Sequence, residues 1–152
     1  MLFYFVAFLT AAVDQLIKIL VHQKMFLGQS SPLLGNILRL TYVRNTGAAF
    51  SLLVGFSPYL MIVGLVISLI VIYIHYRVPA NDTFLQVALA FILGGSLGNL
   101  VDRVLRGYVI DYLDLTFWPV FNLADIMINI GVIMVALRFF TLIGGKNVSR
   151  AF

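Results

Sequence analysis

The chain has 152 residues, of which 62% are hydrophobic and only 11% are charged, which excludes an ordinary soluble domain and predicts an integral membrane protein. The ten lysines and arginines give a formal net charge of +4 but form no run, which excludes a nucleic-acid-binding surface and suits anionic membrane lipid. The absence of cysteine excludes disulfides and thiolate chemistry, and all six acidic residues are aspartates.

Four apolar segments are long enough to cross a bilayer as helices, since a span needs about 20 residues. The first segment has no basic start and continues for a full span, so it predicts a retained helix rather than a cleaved signal peptide. The fold class is therefore interpreted as all-α, with one membrane-embedded domain over residues 1–152. The predicted spans cover roughly 2–22, 58–76, 83–103 and 122–143.

The connection between the first two spans, about 23–57, predicts a small extramembrane β-rich segment. Apolar and polar residues alternate in it as in a half-buried strand: Leu38, Arg39, Leu40, Thr41, Tyr42 and Val43. Asn45–Gly47 then predicts a turn, after which an apolar stretch resumes over residues 48–53.

The second span carries no ionised group and is expected to face lipid over much of its surface. The third span is rich in small residues, which favour close contact between helices: Gly94, Gly95, Ser96 and Gly98. His22 and His75 lie near span ends and are interpreted as interfacial residues rather than metal ligands. Phe117 and Trp118 suit an aromatic belt at the membrane interface.

Four spans place the 23–57 and 104–121 connections on one face of the membrane, opposite both termini. The third span ends at this face and the fourth begins there, beneath the loop that carries Arg44 and Asn45. The pattern therefore predicts a polar site at one membrane edge, formed by Asn99, Asp102, Arg103, Asp111, Asp114, Asn122 and Asp125.

Such a site has a structural and a catalytic interpretation. In the structural one, Asp102 pairs with Arg103 or Arg106, Asp114 is solvated, and Asn122 holds Asp125. In the catalytic one, two nearby aspartates share a proton, so that one activates water while the other polarises a carbonyl group. That chemistry is aspartic peptide hydrolysis and needs no metal or cofactor. Spacing alone does not select the pair among Asp102, Asp111, Asp114 and Asp125.

Four stretches, taken together and in order, resemble the bacterial lipoprotein signal peptidase family, also called signal peptidase II or prolipoprotein signal peptidase. They are "DQLIK" at 14–18, "YVRNTGAAFS" at 42–51, "GGSLGNLVDRVLRGYVIDYLDL" at 94–115 and "FNLADIMINIGV" at 121–132. The resemblance covers nearly the whole chain and includes the number of spans.

The resemblance implies an aspartic endopeptidase that removes signal peptides from prolipoproteins, cleaving before a diacylglyceryl-modified cysteine. Asp111 and Asp125 would be its catalytic pair, and Asp14 would be structural. The residues that would support the site or bind substrate are Asn45, Gly47, Asn99, Arg103 and Asn122. The resemblance also implies inhibition by globomycin-type cyclic peptides, and nothing in the sequence requires more than a monomer.

The resemblance further implies a bacterial cytoplasmic membrane location, with both termini in the cytoplasm and the active site toward the outer face. The positive-inside rule favours the opposite orientation. Five basic residues lie on or near the expected active-site face, against three near the other face: Lys24, Arg39, Arg44, Arg103 and Arg106 against Arg77, Lys146 and Arg150.

Two other functions are compatible with a small membrane protein that contains aspartates. The first is a proton-coupled transporter or channel with the aspartates as a relay, for which Asp14 inside the first span is the favourable feature. The second is a noncatalytic lipid-binding or assembly protein, whose function would tolerate replacement of Asp111 or Asp125 by asparagine.

Overall fold

The protein is described by a computed structural model over residues 1–35, 37–47 and 57–148, which form four long helices and one three-stranded sheet. In chain order the elements are α1 (Leu2–Lys24), β1 (Ser30–Leu34), β2 (Leu38–Asn45), α2 (Ser57–Arg77), α3 (Thr83–Arg106), β3 (Val109–Asp114) and α4 (Leu123–Val148). Each of the four helices is long and apolar enough to cross a membrane. This confirms the predicted fold class, although the helix ends differ from the predicted ones by a few residues. The apolar stretch expected at 48–53 lies outside the described residues.

Helix α3 is central and packs against α1, α2 and α4. Its glycines let the neighbouring backbones come close. A Cβ atom added at Gly94 would lie 2.6 Å from the carbonyl oxygen of Ala7 in α1, and one added at Gly95 would lie 2.5 Å from that of Ala124 in α4. Real Cβ atoms do not approach backbone atoms so closely, so these two helix contacts depend on the missing side chains. The predicted role of the small residues in close packing is confirmed.

Helix α2 exposes most of its apolar surface, as predicted for a lipid-facing span. Its C-terminal end is held by His75, whose ring stacks on Phe3 of α1 with 3.8 Å between ring centroids. His75 Nδ1 also lies 2.5 Å from Oε1 of Gln86 in α3. His75 therefore joins three helices at the end of the bundle where the described chain begins.

The sheet has the order β1-β2-β3, with both pairs antiparallel. Because β2 and β3 come from different connections, their pairing confirms that the 23–57 and 104–121 connections meet on one face. The predicted β-rich segment is too narrow, since it omits β3. That strand escaped prediction because Val109, Ile110, Asp111 and Tyr112 are all buried and show no alternation.

A small core connects the sheet to the helices and fixes the position of β3. It contains Val21 of α1, Tyr42 of β2, and Ile110 and Tyr112 of β3, all nearly inaccessible to solvent. In the register of the sheet, Asp111 of β3 lies opposite Val43 of β2. Since residues 109–112 are all buried, Asp111 lies on a strand that is packed on both of its faces.

We expect Gly95→Ala to destabilise the protein, because its new methyl group would meet the backbone of α4. Overpacking of this kind costs on the order of 1–3 kcal/mol. The measurement is the thermal unfolding midpoint in detergent. Gly64→Ala in α2 is the matched control, since its methyl group would lie at an ordinary 3.9 Å from Leu100 Cδ1. Equal midpoints for the two variants would contradict close α3–α4 packing at Gly95.

Candidate active site

A cavity of about 920 Å³ opens between the sheet, the C-terminal end of α3 and the N-terminal end of α4. Asp111 and Asp125 both line it, whereas Asp102 and Asp114 do not. The cavity therefore distinguishes one pair from the four aspartates among which the sequence pattern could not choose.

Asp125 is held by the start of α4. The Asn122 side chain precedes the helix and accepts a hydrogen bond from the Asp125 backbone N–H at 3.0 Å, while Asp125 Oδ2 accepts one from the Asn122 backbone N–H at 3.2 Å. This reciprocal pair is a capping box, which satisfies two donors at a helix N-terminus. Asp125 Oδ1 also accepts a hydrogen bond from Asn99 Nδ2 at 2.8 Å. The predicted Asn122–Asp125 contact is thus present, and it leaves Asp125 at the cavity wall.

Asp111 is 2% exposed and accepts one amide hydrogen bond on each carboxylate oxygen. Asn122 Nδ2 donates to Oδ1 at 2.6 Å and Asn45 Nδ2 donates to Oδ2 at 2.8 Å. Burial, and then the nearby charge of Asp125, raise the pKa of Asp111 to about 7, although the two amide donors and Lys18 oppose this shift. The Asp111 carboxyl group therefore changes its protonation state near neutral pH.

Two of the asparagines are oriented by backbone N–H groups. Asn45 Oδ1 accepts from the Gly47 N–H at 3.0 Å, just as Asn122 Oδ1 accepts from the Asp125 N–H. A backbone N–H is only a donor, so it must meet the amide oxygen. The NH2 groups of both asparagines consequently point at Asp111. The Gly47 N–H, within the predicted turn at residues 45–47, orients the Asn45 side chain.

Arg103 lies on the cavity wall between the turn and α3. Its Nη2 donates to the Gly47 carbonyl oxygen at 3.5 Å, and its Nη1 donates to the Asn99 carbonyl oxygen at 3.4 Å. Arg44 lies on the same wall, with its guanidinium 4.9 Å from the Tyr108 ring centroid. The cavity therefore presents cationic groups beside the two carboxylates.

Beneath the site lies a buried ionic cluster that the sequence interpretation described only in part. Lys18 Nζ lies 2.8 Å from Asp14 Oδ2 and 3.0 Å from Asp102 Oδ2, and all three side chains are fully buried. Of the two partners predicted for Asp102, the structure selects Arg106 rather than Arg103. Lys18 was missed, although its i, i+4 spacing from Asp14 on one helix was a usable signal.

Asp114 lies at the far end of β3 and takes no part in the cavity. It is partly buried rather than fully solvated as expected, because Oδ2 accepts from Thr41 Oγ1 at 2.7 Å and Oδ1 from the Thr116 N–H at 2.9 Å. These hydrogen bonds hold the pKa of Asp114 below its usual value. Its role is to join β3 to β2.

The mouth of the cavity is apolar. Phe117 and Trp118 follow β3 and are 76% and 54% exposed, and Ile130 and Ile133 of α4 continue the lining away from the two aspartates. Both residues lie in the connection between β3 and α4, and the aromatic belt predicted for Phe117 and Trp118 stays a prediction.

Comparison with known proteins gives one family. The family model described as signal peptidase (SPase) II matches residues 6–141. Similar curated proteins include the lipoprotein signal peptidases of Moorella thermoacetica, 42% identical over 87% of this chain and 88% of the relative, and of Nostoc sp., 44% identical over 90% and 87%. Two solved bacterial membrane enzymes, each 32% identical, superpose with TM-scores of 0.88 and 0.81. They cover 93% and 89% of this chain, and the matched parts are 89% and 90% of those chains.

We expect the Asp111 carboxyl group to carry a proton below about pH 7 and to lose it above that pH, because burial and the Asp125 charge raise its pKa. The measurement is an infrared titration of the protonated carboxyl band in detergent. The band should vanish in Asp111→Asn, and in Asp125→Asn the titration of Asp111 should move to lower pH because a like charge is removed. A midpoint near 4 in the parent protein would contradict the described environment.

Proposed function

We propose that this chain, which belongs to the signal peptidase (SPase) II family and is a multi-pass membrane peptidase, hydrolyses its substrate with Asp111 and Asp125 as a catalytic pair. The observation that carries this proposal is that these two carboxylates line one cavity and are bridged by Asn122. Two carboxylates that share a poorly hydrated site favour a state with a single proton.

In the proposed reaction, Asp125 is the charged member of the pair and Asp111 carries the proton. Asp125 accepts a proton from a water molecule as the water oxygen bonds to the scissile carbonyl carbon. The Asp111 carboxyl group donates a hydrogen bond to the carbonyl oxygen and stabilises the negative charge that develops there. When the C–N bond breaks, a proton of the pair passes to the leaving nitrogen, and the pair again holds one proton.

The proposed substrate is a prolipoprotein, cut before a cysteine that carries a diacylglyceryl group. The polar wall with Asn45 and Arg103 would hold an extended peptide, while the acyl chains would follow the apolar lining at Ile130 and Ile133 toward lipid. Globomycin-type cyclic peptides would compete for this cavity. Asp111, Asp125 and the asparagines around them all come from one chain, so a monomer would suffice for the reaction.

The proposed location is the bacterial cytoplasmic membrane, with both termini in the cytoplasm and the cavity at the outer face. The basic residues that oppose this orientation are partly engaged inside the protein. Arg106 is paired with Asp102, and Arg103 donates to two backbone carbonyls beside the cavity. Both arginines lie in the last turn of α3, where the positive-inside rule counts them, but these partners give each a structural reason to lie on this face.

The proton-relay alternative loses the feature that favoured it. Asp14 is not an isolated acid in the first span, because it is ion-paired with Lys18 and its Oδ1 accepts from the Ala124 N–H at 3.0 Å. The contact with Ala124 joins α1 to α4, which supports a structural role for Asp14. A relay carboxyl group has to exchange its partners as protons pass, and both partners of Asp14 are fixed in packed helices.

We expect Asp111→Asn and Asp125→Asn each to lower kcat on a diacylglyceryl-modified prolipoprotein by about 10²–10⁴-fold, because either change removes a proton donor or acceptor. The measurement is cleavage by purified protein in detergent or lipid, with folding checked by thermal unfolding. Asp114→Asn is the matched control on the same strand, since the asparagine oxygen can accept from the Thr116 N–H while its NH2 group donates to the Thr41 hydroxyl. Cleavage by both variants of the catalytic pair at the parent rate would overturn the assignment.

The orientation can be tested separately because the parent chain contains no cysteine. A cysteine replacing Leu33, 56% exposed in β1, should react in intact cells with a thiol reagent that cannot cross membranes. A cysteine replacing Asn81, exposed in the turn between α2 and α3, should react only after permeabilisation. The reverse labelling pattern would place the cavity in the cytoplasm.

A further inference from the structure

Lys18 is a buried cation in α1 whose Nζ lies within 3.0 Å of three oxygen atoms. Besides Asp14 Oδ2 at 2.8 Å and Asp102 Oδ2 at 3.0 Å, Nζ donates to Asn99 Oδ1 at 2.8 Å. The third contact reaches the proposed catalytic pair, because Nδ2 of the same Asn99 amide donates to Asp125. Lys18 is therefore one side chain removed from that pair.

We propose that Lys18 is a positioning residue, which fixes the Asn99 amide with its NH2 group toward Asp125. This inference rests on the proposed function and adds a residue that no sequence motif or cavity lining assigned to the reaction. Lys18 does not touch the cavity and acts through Asn99.

The donors and acceptors around Asn99 explain why Lys18 controls the orientation of the Asn99 amide. An ammonium group has donors only, so the amide atom that faces it must be the oxygen. Asn99 Oδ1 also accepts from Asn122 Nδ2 at 3.2 Å. Rotating the amide by half a turn would set its NH2 group against two donors and its oxygen against the Asp125 carboxylate. The described arrangement is thus strongly favoured over the rotated one.

The position of Asn99 explains why a side-chain donor is needed. Asn45 and Asn122 are oriented by backbone N–H groups of a turn and a helix N-terminus, where such donors are free. Asn99 lies inside α3, where backbone N–H groups are used by the helix itself. Its oxygen has to be fixed by a donor from another element, and Lys18 of α1 supplies one.

The same cluster also contacts the backbone beside each member of the catalytic pair, which a test has to separate from the amide effect. Asp14 Oδ1 accepts from the Ala124 N–H at 3.0 Å, and Asp102 Oδ2 accepts from the Ile110 N–H at 3.1 Å. Removing Lys18 alone would leave the buried Asp14 carboxylate without its ion-pair partner, which is strongly destabilising.

The experiment therefore uses Asp14→Asn as the background, in which adding Lys18→Met leaves one cation and one carboxylate in the cluster, Arg106 and Asp102. Asp14→Asn removes the carboxylate that Lys18 neutralises but keeps an oxygen for the Ala124 N–H, and Asp102 keeps Arg106. In this background, Lys18→Met, Asn99→Ala and the combination of both are compared for kcat and KM on a diacylglyceryl-modified prolipoprotein. Thermal unfolding midpoints are recorded for all four proteins.

Lys18→Met should lower kcat by on the order of 10²-fold with little change in KM, since misplacement of a reacting group has effects of that size. When Asn99→Ala is already present, the same Lys18→Met change should alter kcat by no more than about twofold, because residues that act in series are not additive. A change in stability alone would not produce this dependence on Asn99.

An equal loss of kcat on Lys18→Met with and without Asn99→Ala would overturn the inference, because Lys18 would then act independently of the amide. Failure of the Asp14→Asn/Lys18→Met protein to fold, where Asp14→Asn folds, would also overturn it by making Lys18 a requirement of the fold. The proposed function fails on a different result, namely activity of the Asp111→Asn and Asp125→Asn proteins or inactivity of the parent.

Discussion

A carboxylate placed at the edge of a membrane depends on the protein for the hydrogen-bond donors that water would otherwise supply, and the architecture of the site follows from this requirement. Asparagine side chains are the main hydrogen-bond donors to the two carboxylates. Asn45, Asn99 and Asn122 each turn a nitrogen toward Asp111 or Asp125, and each has its oxygen fixed by a donor elsewhere. Neutral amides stabilise a carboxylate without the strong field of a cation in direct contact, so one member of the pair can still hold a proton near neutral pH.

The donors can meet only because the helices approach closely. Asn99 lies on α3, Lys18 on α1 and Asp125 on α4, so these three side chains meet only through contacts between helices. The glycines of α3 place the backbones of α1 and α4 within contact distance of it, which also places the Ala124 N–H against Asp14. Packing and the proposed catalysis are therefore connected through the same interface, and a residue that enlarges the gap disturbs the position of Asp125.

The sequence predicts the parts of this protein that depend on local pattern. Spans follow from apolar runs, the β2 strand from alternation, and the helix contact from small residues. It does not predict β3, because a strand buried on both faces has no alternation to detect. Nor can spacing choose between Asp102 and Asp111, which are nine positions apart and differ in whether they face the ionic cluster or the cavity. The family motifs suggest the pair, and the cavity adds a physical argument for it.

The site consists of two layers. The static layer is the buried ionic cluster, and the reactive layer contains the proposed catalytic pair. In the static layer, Asp14, Lys18 and Asp102 are fully buried and opposite charges are paired at short distance, so these side chains are held in one arrangement. In the reactive layer, Asp111 and Asp125 receive hydrogen bonds from asparagine amides that carry no charge. Lys18 touches both layers through Asn99. Lys18 is separated from Asp125 by the Asn99 amide and orients the NH2 group of that amide toward the carboxylate. Because the Lys18 charge is neutralised by its own partners, it holds the geometry of the proposed catalytic pair without fixing the proton on one carboxyl group.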